Sequence, residues 1–310
     1  MQSEDVMVSI ICPTFNHEKY IKSCLDGFLK QETDFSYEVI VHDDCSSDRT
    51  AEIISKYKKE NERQIKAILQ TENQYSKGIN IVRDIMMPLA KGKYIAFCEG
   101  DDAWVDETKL ARQVSFLEEN PEYVACVHNT YFHRCDKRCR DFPMFIYNRD
   151  RDLEFEDIFK WNAFGYQYSS LLVKREFFTN PPFGYGEYPM AIYLALNGKI
   201  RFLNRNMSVY RFRSGKYATR ANVFSRKAMI ADTKGAIENM EKIRDYINDA
   251  NRKKIVKDRI EASYEALDSL SNISDEEYEK RLLKQERMLD IKLFVRSHFR
   301  VLYKLIICRR

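Results

Sequence analysis

Residues 94–102 read YIAFCEGDD, an apolar run short enough for a buried strand that stops at three carboxylates and a glycine. The same pattern recurs three times upstream. Residues 6–12 are a β-branched apolar run stopped by Pro13 and followed by Thr14, Phe15 and Asn16. Residues 37–42 end at Asp43-Asp44, and residues 65–69 run into Thr71-Glu72-Asn73. The intervening segments have helical spacing. Tyr20, Ile21, Cys24, Leu25, Phe28 and Leu29 predict a helix over 18–31. Ser46-Ser47-Asp48 offers N-cap chemistry for a helix over 49–58. Further helices over 79–90 and 108–119 and a strand over 123–131 complete this half. Such alternation predicts an α/β, Rossmann-like, mostly parallel sheet flanked by helices. Ligands of such sheets bind outside the carboxyl ends of the strands, so all four polar clusters should face one crevice.

The chain has 310 residues, 44% hydrophobic and 13% aromatic, with only 10 Gly and 7 Pro, which excludes a disordered or low-complexity polymer. A net charge of +4 from 51 basic and 47 acidic residues argues against general nucleic-acid binding. The charge is unevenly placed. Residues 281–310 hold nine Lys/Arg against Glu286 and Asp290, a net +7, which leaves −3 for the rest. The opening residues lack a basic region followed by a long apolar stretch, and the late apolar run 305–308 is far short of the ~20 residues that span a bilayer. The expectation is a protein of the reducing cytoplasm with free thiols.

From 140 to 222 the pattern is mixed, with strand-like 168–173 and 200–203 and a helix over 187–196. After Asn222 glycine and proline nearly vanish, and helical periodicity dominates with breaks near 249–251 and 271–274. Residues 223–310 therefore read as a C-terminal helical appendage. Within it Lys292, Arg296, Arg300 and Lys304 recur every fourth residue beside Phe294, Val295, Phe299, Leu302, Leu305 and Ile306. Two readings of 287–310 stay open: contact with an anionic membrane surface, or packing against the catalytic domain or a second subunit in a homo-oligomer.

Glu99, Asp101 and Asp102 repel one another, so their clustering favours a cation, and hard oxygen ligands suit Mg²⁺ or Mn²⁺. Gly100 lets the backbone turn and approach a ligand closely. Asp43-Asp44 can accept from a nucleobase imide or a ribose hydroxyl, or can serve as a cap cluster for the next helix. No G-x-G-x-x-G follows the first strand and no G-x-x-x-x-G-K-[ST] occurs, so phosphates would not be held by a glycine-rich loop. Cys126, His128, His133, Cys135 and Cys139 lack a paired C-x-x-C and read as core and surface loop rather than zinc ligands.

Three ordered blocks, VSIICPTFN (8–16), VHDDCSSDRT (41–50) and GKYIAFCEGDDAW (92–104), resemble the family 2 glycosyltransferases, inverting enzymes with a GT-A fold. The likeness is close over 6–130 and looser to about 215. It implies a GT-A catalytic domain over 1–222, with a nucleotide-sugar half over 1–130 and an acceptor half over 131–222. It also implies that Pro13, Thr14, Phe15, Asp43 and Asp44 form the nucleoside pocket, with Glu18 and Asn73 near base and ribose. Glu99-Gly100-Asp101-Asp102 takes the place of the family's D-x-D motif, with Asp101 the principal metal ligand and Glu99 or Asp102 on ribose or metal. Glu99 departs from the usual first Asp. The resemblance matches Gly186-Glu187-Tyr188-Pro189 to the segment carrying the general base, here Glu187, which is also an ordinary dipole-stabilising residue for a helix start. Arg211, in the segment YRFRSG, would contact diphosphate oxygens or make a structural ion pair. Tyr168-Ser169-Ser170 would lie beside the acceptor. The implied partners are a nucleotide-sugar donor, a uridine one, and a glycan or lipid-linked acceptor. Nucleotidyl transfer on the same sheet architecture and a non-catalytic nucleotide-sugar-binding scaffold at a membrane surface are the alternatives.

Overall fold

The computed structural model describes residues 5–136, 140–160, 165–179, 182–183, 187–214 and 225–298. Two units divide the chain, one of residues 1–132 and 143–211, the other of residues 133–142 and 212–310.

The first unit is a sheet with helices packed on it. Its first strand, β1 (Val8–Thr14), is buried almost throughout because VSIICPT is β-branched and apolar. After it come α1 (Ile21–Leu29), β2 (Tyr37–Asp43), α2 (Thr50–Glu60), β3 (Ile65–Leu69) and β4 (Tyr94–Phe97). β1 runs parallel to β2 and β4, and β3 runs parallel to β2. Next are the short β5 (Ala103–Trp104), α3 (Lys109–Glu119), β6 (Tyr123–Arg134), β7 (Phe142–Pro143), β8 (Arg151–Leu153), α4 (Phe155–Lys160), β9 (Leu172–Lys174), α5 (Arg175–Phe178), α6 (Glu187–Asn197) and β10 (Lys199–Phe212). Among the described residues the strand order is β3-β2-β1-β4-β9-β6-β10-β5, with β7 beside β6 and β8 beside β10. Beyond β4, β9 runs antiparallel to β4 and to β6, and β5 and β8 run antiparallel to β10. The apolar face of α1 (Ile21, Cys24, Leu25, Phe28) packs with Ile10, Cys12, Tyr94, Cys98, Trp104 and Leu110 in one buried cluster. Burying each such side chain is worth about 1.5–3 kcal/mol, so this layer anchors the strand ends that carry the polar clusters.

Three expected elements differ. The helix expected over 79–90 is instead a wide π-type turn, Ile81–Met86, followed by a 3₁₀ turn, Met87–Leu89. Pro88 has no N–H to give and its ring crowds the carbonyl four residues back, so an α-helix cannot run through it. The strand expected over 168–173 begins as a 3₁₀ turn, Tyr168–Ser170, before β9. There the carbonyls of Ser169 and Ser170 accept from Trp104 Nε1 and Gln113 Nε2, each at 2.9 Å, in place of a strand ladder. The expected strand 200–203 grows into the 14-residue β10, whose polar Asn204-Arg205-Asn206 interrupts the hydrophobic pattern.

The second unit contains α7 (Arg226–Tyr246), α8 (Ala250–Ser271) and α9 (Asp275–His298). Ser225 Oγ accepts from Ala228 N–H at 3.2 Å and Asp249 Oδ1 from Arg252 N–H at 2.8 Å, which sets the two helix starts. α9 is tied to the rest of its unit by ions. Arg134 Nη2 lies 2.7 Å from Asp290 Oδ1, Arg213 Nη2 lies 3.4 Å from Glu286 Oε1, and the Arg296 guanidinium sits 4.8 Å from the Phe142 ring centre. Asp136 receives Arg134 and Arg213 together, and the hydrogen bond from Arg134 leads in holding its carboxyl down to about 2. Among the described residues no helix is long and apolar enough to cross a membrane. Residues 299–310 of the basic tail lie outside the described residues.

Candidate active site

Strand register brings the polar clusters together. Thr14 stands opposite Asp43 and Ile11 opposite Phe97, so β1, β2 and β4 end at the same edge. Backbone bonds then stitch the loops that leave them. Asp44 N–H donates to Thr14 O at 3.1 Å, Gly100 N–H to Pro13 O at 3.1 Å, and Gln70 N–H to Asp43 O at 3.0 Å.

Gly100 is required by space. A Cβ there would lie 2.6 Å from Thr14 Oγ1, 2.7 Å from Thr14 Cβ and 3.0 Å from His17 Nδ1. The elbow that follows β4 is therefore pressed directly onto the end of β1. Thr14 Oγ1 and His17 Nδ1 are 3.0 Å apart, and His17 Nε2 is 3.8 Å from Asp101 Oδ2. That gap is too long for a hydrogen bond. Burial lowers the His17 pKa although Asp101, Asp48 and Asp43 pull it up, so the imidazole is neutral at pH 7.

The three acidic residues of the elbow have different surroundings. Glu99 is exposed, Asp101 is half-buried and Asp102 is buried. Burial first, and the Asp101 charge second, push Asp102 up to about 8, against the pull of Arg211. Arg211 is the principal tie on this elbow. Its backbone N–H donates to Asp102 Oδ1 at 3.0 Å, Nη1 donates to Asp101 O at 2.8 Å, and Nη2 donates to Ser23 Oγ at 3.0 Å. Its guanidinium also lies 5.2 Å from the Tyr20 ring centre. From the core side, the Cys24 and Cys98 thiols reach Glu99 O at 3.4 and 3.7 Å.

The loops after β1 and β2 interlock. Asn16 and Cys45 adopt left-handed backbones (φ 57° and 63°), which favours Asn at the first. Asn16 N–H donates to Ser46 Oγ, His17 N–H to Thr50 Oγ1 and Glu18 N–H to Asp48 Oδ2. In return Asn16 Oδ1 accepts from Ser47 N–H, and Glu18 Oε2 from Arg49 N–H. Asp43 is buried and accepts from the backbone N–H and hydroxyl of Ser46. Asp44 accepts from the backbone N–H groups of Gln74 (2.8 Å) and Tyr75 (3.1 Å), while Asn73 holds Asp44 O and Ser76 N–H.

Pro13, Thr14, Asp43, Asp44, Asn73 and the Glu99–Asp102 elbow are thus gathered at one edge, and Glu18 and Phe15 lie in the adjoining loop. The carboxylates of Glu18 and Asp44 are occupied by loop N–H groups. Arg211 reaches this edge from β10 although it is more than a hundred residues away in sequence. Sequence reasoning passed over His17, which the structure places against the elbow, and Ser23 and Tyr20, which meet the Arg211 guanidinium that ties it; the sequence signal was their nearness to Pro13-Thr14-Phe15-Asn16. Glu187 opens α6, but its side chain and Gly186 lie outside the described residues. Ser169 and Ser170 are buried with their carbonyls engaged. Cys126 and His128 are buried on β6, and His128 Nδ1 is 2.8 Å from Asn129 O.

A family model described as glycosyl transferase family 2 matches residues 9–180. The chain is 33% identical over 214 residues to the uncharacterized protein Mb1547 of Mycobacterium bovis, covering 66% of this chain and 58% of that one. It is 38% identical over 112 residues to WfaP of Escherichia coli, a UDP-Glc:α-D-GlcNAc-diphosphoundecaprenol β-1,3-glucosyltransferase, covering 36% of this chain and 41% of WfaP. Among solved structures, Staphylococcus aureus TarS 1-349 in complex with UDP-GlcNAc matches with a TM-score of 0.62 at 21% identity, over 81% of this chain and 70% of that one. The chain therefore spans little more than half the length of Mb1547, and the likeness to TarS establishes a shared GT-A fold.

Proposed function

The chain belongs to glycosyl transferase family 2, and from that premise we propose that it moves a sugar from a UDP-sugar donor to a glycan or lipid-linked acceptor in the cytoplasm, inverting the anomeric carbon. The observation that carries this reading is the stitched edge where β1, β2 and β4 end, with Asp43, Asp44 and the Glu99–Asp102 elbow held within one layer of backbone hydrogen bonds. WfaP, by its name a UDP-Glc enzyme acting on a lipid diphosphate, and TarS, bound to UDP-GlcNAc, support the donor and acceptor classes.

The elbow's donor set suits a hard divalent cation, Mn²⁺ or Mg²⁺. Its oxygens are carboxylates, and beyond the larger effect of burial the Asp101 charge pushes Asp102 up, a repulsion that a cation would relieve. Among the described residues no three His, Cys, Asp or Glu side chains form a ready-made cage. Mn²⁺ and Mg²⁺ need none, since they take one or two carboxylates and complete their shell with phosphate oxygens and water. Asp101 would hold the ion, with Glu99 beside it, while buried Asp102 secures the elbow through the Arg211 N–H. When bound, the ion supplies charge neutralisation for the departing diphosphate.

The protein's own groups supply the rest. Asp43 would accept from the nucleoside on the lone pairs its Ser46 bonds leave open, Asp44 holds the 74–75 loop beside it, and the Pro13–Phe15 loop gives it a wall. Neutral His17 leaves the negative potential at Asp101 intact. Arg211 fixes the position of the Asp101 carbonyl. Glu187, at the start of α6, takes the proton of the acceptor hydroxyl as its oxygen attacks the anomeric carbon. The test is release of UDP from a panel of UDP-sugars, with and without Mn²⁺, by wild type and by Glu187→Gln. Wild type should turn over, and the variant should bind donor equally while losing about 10²–10⁴ in rate. Normal turnover by Glu187→Gln would move the base elsewhere. Pyrophosphate release from sugar phosphate plus UTP would replace glycosyl transfer with nucleotidyl transfer.

A further inference from the structure

We propose that the outward face of α9 docks on an anionic membrane surface, a function separate from the chemistry at the β1–β4 edge. The helix has two faces of different composition. Tyr278 and Leu293 are buried, and Glu286, Asp290 and Arg296 are turned to the same side, where they meet Arg213, Arg134 and Phe142 of their own unit. The other side is in water and is both apolar and basic. Leu283 is 44% exposed, Met288 48% and Ile291 56%. Lys284, Arg287 and Lys292 are exposed among them.

These residues form one patch, because 284 to 288, 287 to 291 and 288 to 292 are steps of four, and 284 to 287 and 288 to 291 are steps of three. From residue 280 onward the exposed positions of α9 carry no acid, since Glu286 and Asp290 both face inward. Over residues 280–292 the helix thus keeps its two acids on the protein side and its bases in solvent, while the exposed acids Asp275, Glu276, Glu277 and Glu279 belong to its first turns. The sequence beyond, FRVLYKLIICRR, adds four bases and no acid.

Charge and apolarity together select the occupant. A second copy of this face would bring like charges together. A nucleic-acid backbone would match the Lys and Arg residues but gain nothing from Leu283, Met288 and Ile291, and the described patch offers no aromatic ring for base stacking. An anionic lipid surface satisfies both, with the bases at the headgroups and the aliphatic side chains at the acyl boundary.

The test is co-sedimentation of the full chain with phosphatidylcholine vesicles, with and without roughly 30% phosphatidylglycerol, at low and high salt. The anionic vesicles should bind the protein, and salt should weaken binding. Each Lys or Arg at such a surface multiplies partitioning about fivefold. The double variant Lys284→Glu with Arg287→Glu should therefore bind at least about 25-fold more weakly, and Met288→Ser with Ile291→Ser should also weaken binding. All these positions are exposed, so circular dichroism and UDP release in solution should match wild type. Vesicle binding that ignores lipid charge, or that survives both double variants, overturns the proposal. So does a dimer in sedimentation equilibrium that Met288→Ser with Ile291→Ser disperses, which would make the face a contact between copies.

Discussion

Gly100→Ala concentrates the structural argument in a single methyl group. The new Cβ would stand 2.7 Å from Thr14 Cβ and 2.6 Å from Thr14 Oγ1, roughly 0.8 Å inside the ~3.5 Å at which carbon atoms pack without repulsion. Thr14 cannot yield cheaply. It is the last residue of β1, 4% exposed, with its carbonyl accepting from Asp44 N–H and its hydroxyl against His17. The elbow must lift instead, which stretches the 3.1 Å bond from Gly100 N–H to Pro13 O. Overpacking of this kind costs about 1–3 kcal/mol and the lost bond about 1 more. The lift also shifts Asp101 by something near 1 Å, enough to reduce turnover about 10²-fold. Urea unfolding should show a loss of about 2–4 kcal/mol, and UDP release under Mn²⁺ should fall by about two orders of magnitude. A variant within about 0.5 kcal/mol of wild type that turns over normally would refute the claim that the elbow is clamped on β1.

Lys109 is wholly buried, donates to Gln113 Oε1 at 2.8 Å and lies 3.9 Å from the Trp104 ring centre, and burial pulls its pKa from 10.5 to about 7. The folded state thus disfavours the proton. At or below pH 7 the fold bears a cost of up to about 5 kcal/mol, which fades as pH rises toward 10.5. Lys109→Met removes that dependence but leaves Gln113 Oε1 without its donor, so it should gain about 2–4 kcal/mol over wild type at pH 7 and much less at pH 9.5 by urea unfolding. An equal gap at both pH values contradicts the account. Arg211→Lys keeps the charge and the backbone bond to Asp102, yet one ammonium cannot span Asp101 O and Ser23 Oγ together. UDP release should fall about tenfold or more with a stability loss near 1–2 kcal/mol; unchanged turnover would show that the fork does not position the elbow.

The parallel half of the sheet was legible because its strands are short β-branched runs that end abruptly in polar clusters, and period and punctuation there agree. Residues 81–89 were not legible, because their apolar spacing imitates a helix until Pro88 intervenes. The 14 residues of β10 were hidden by Asn204-Arg205-Asn206, and the pairing beyond them, Ser208 and Val209 against β5, depends on a segment a hundred residues away. In the site, residue types located the edge but not how each side chain is used. Glu18 and Asp44 spend their carboxylates on loop N–H groups, a function set by left-handed turns at Asn16 and Cys45 that no local pattern announces. Lys109 looks like an ordinary helix-surface lysine, and only the tertiary fold buries it. Arg211 could be read as a phosphate ligand or an ion-pair partner, and its link to the Asp101 carbonyl requires β10 to return to the elbow.

In the proposed mechanism the acidic elbow recruits a divalent cation that in turn holds the donor's diphosphate. Calorimetry of UDP binding to wild type and to Asp101→Ala, each with Mn²⁺ and with EDTA, tests it directly. Mn²⁺ should tighten wild-type binding by at least about tenfold, which is about 1.4 kcal/mol, and should do nothing for Asp101→Ala. Equal affinity for UDP in all four titrations would contradict the account.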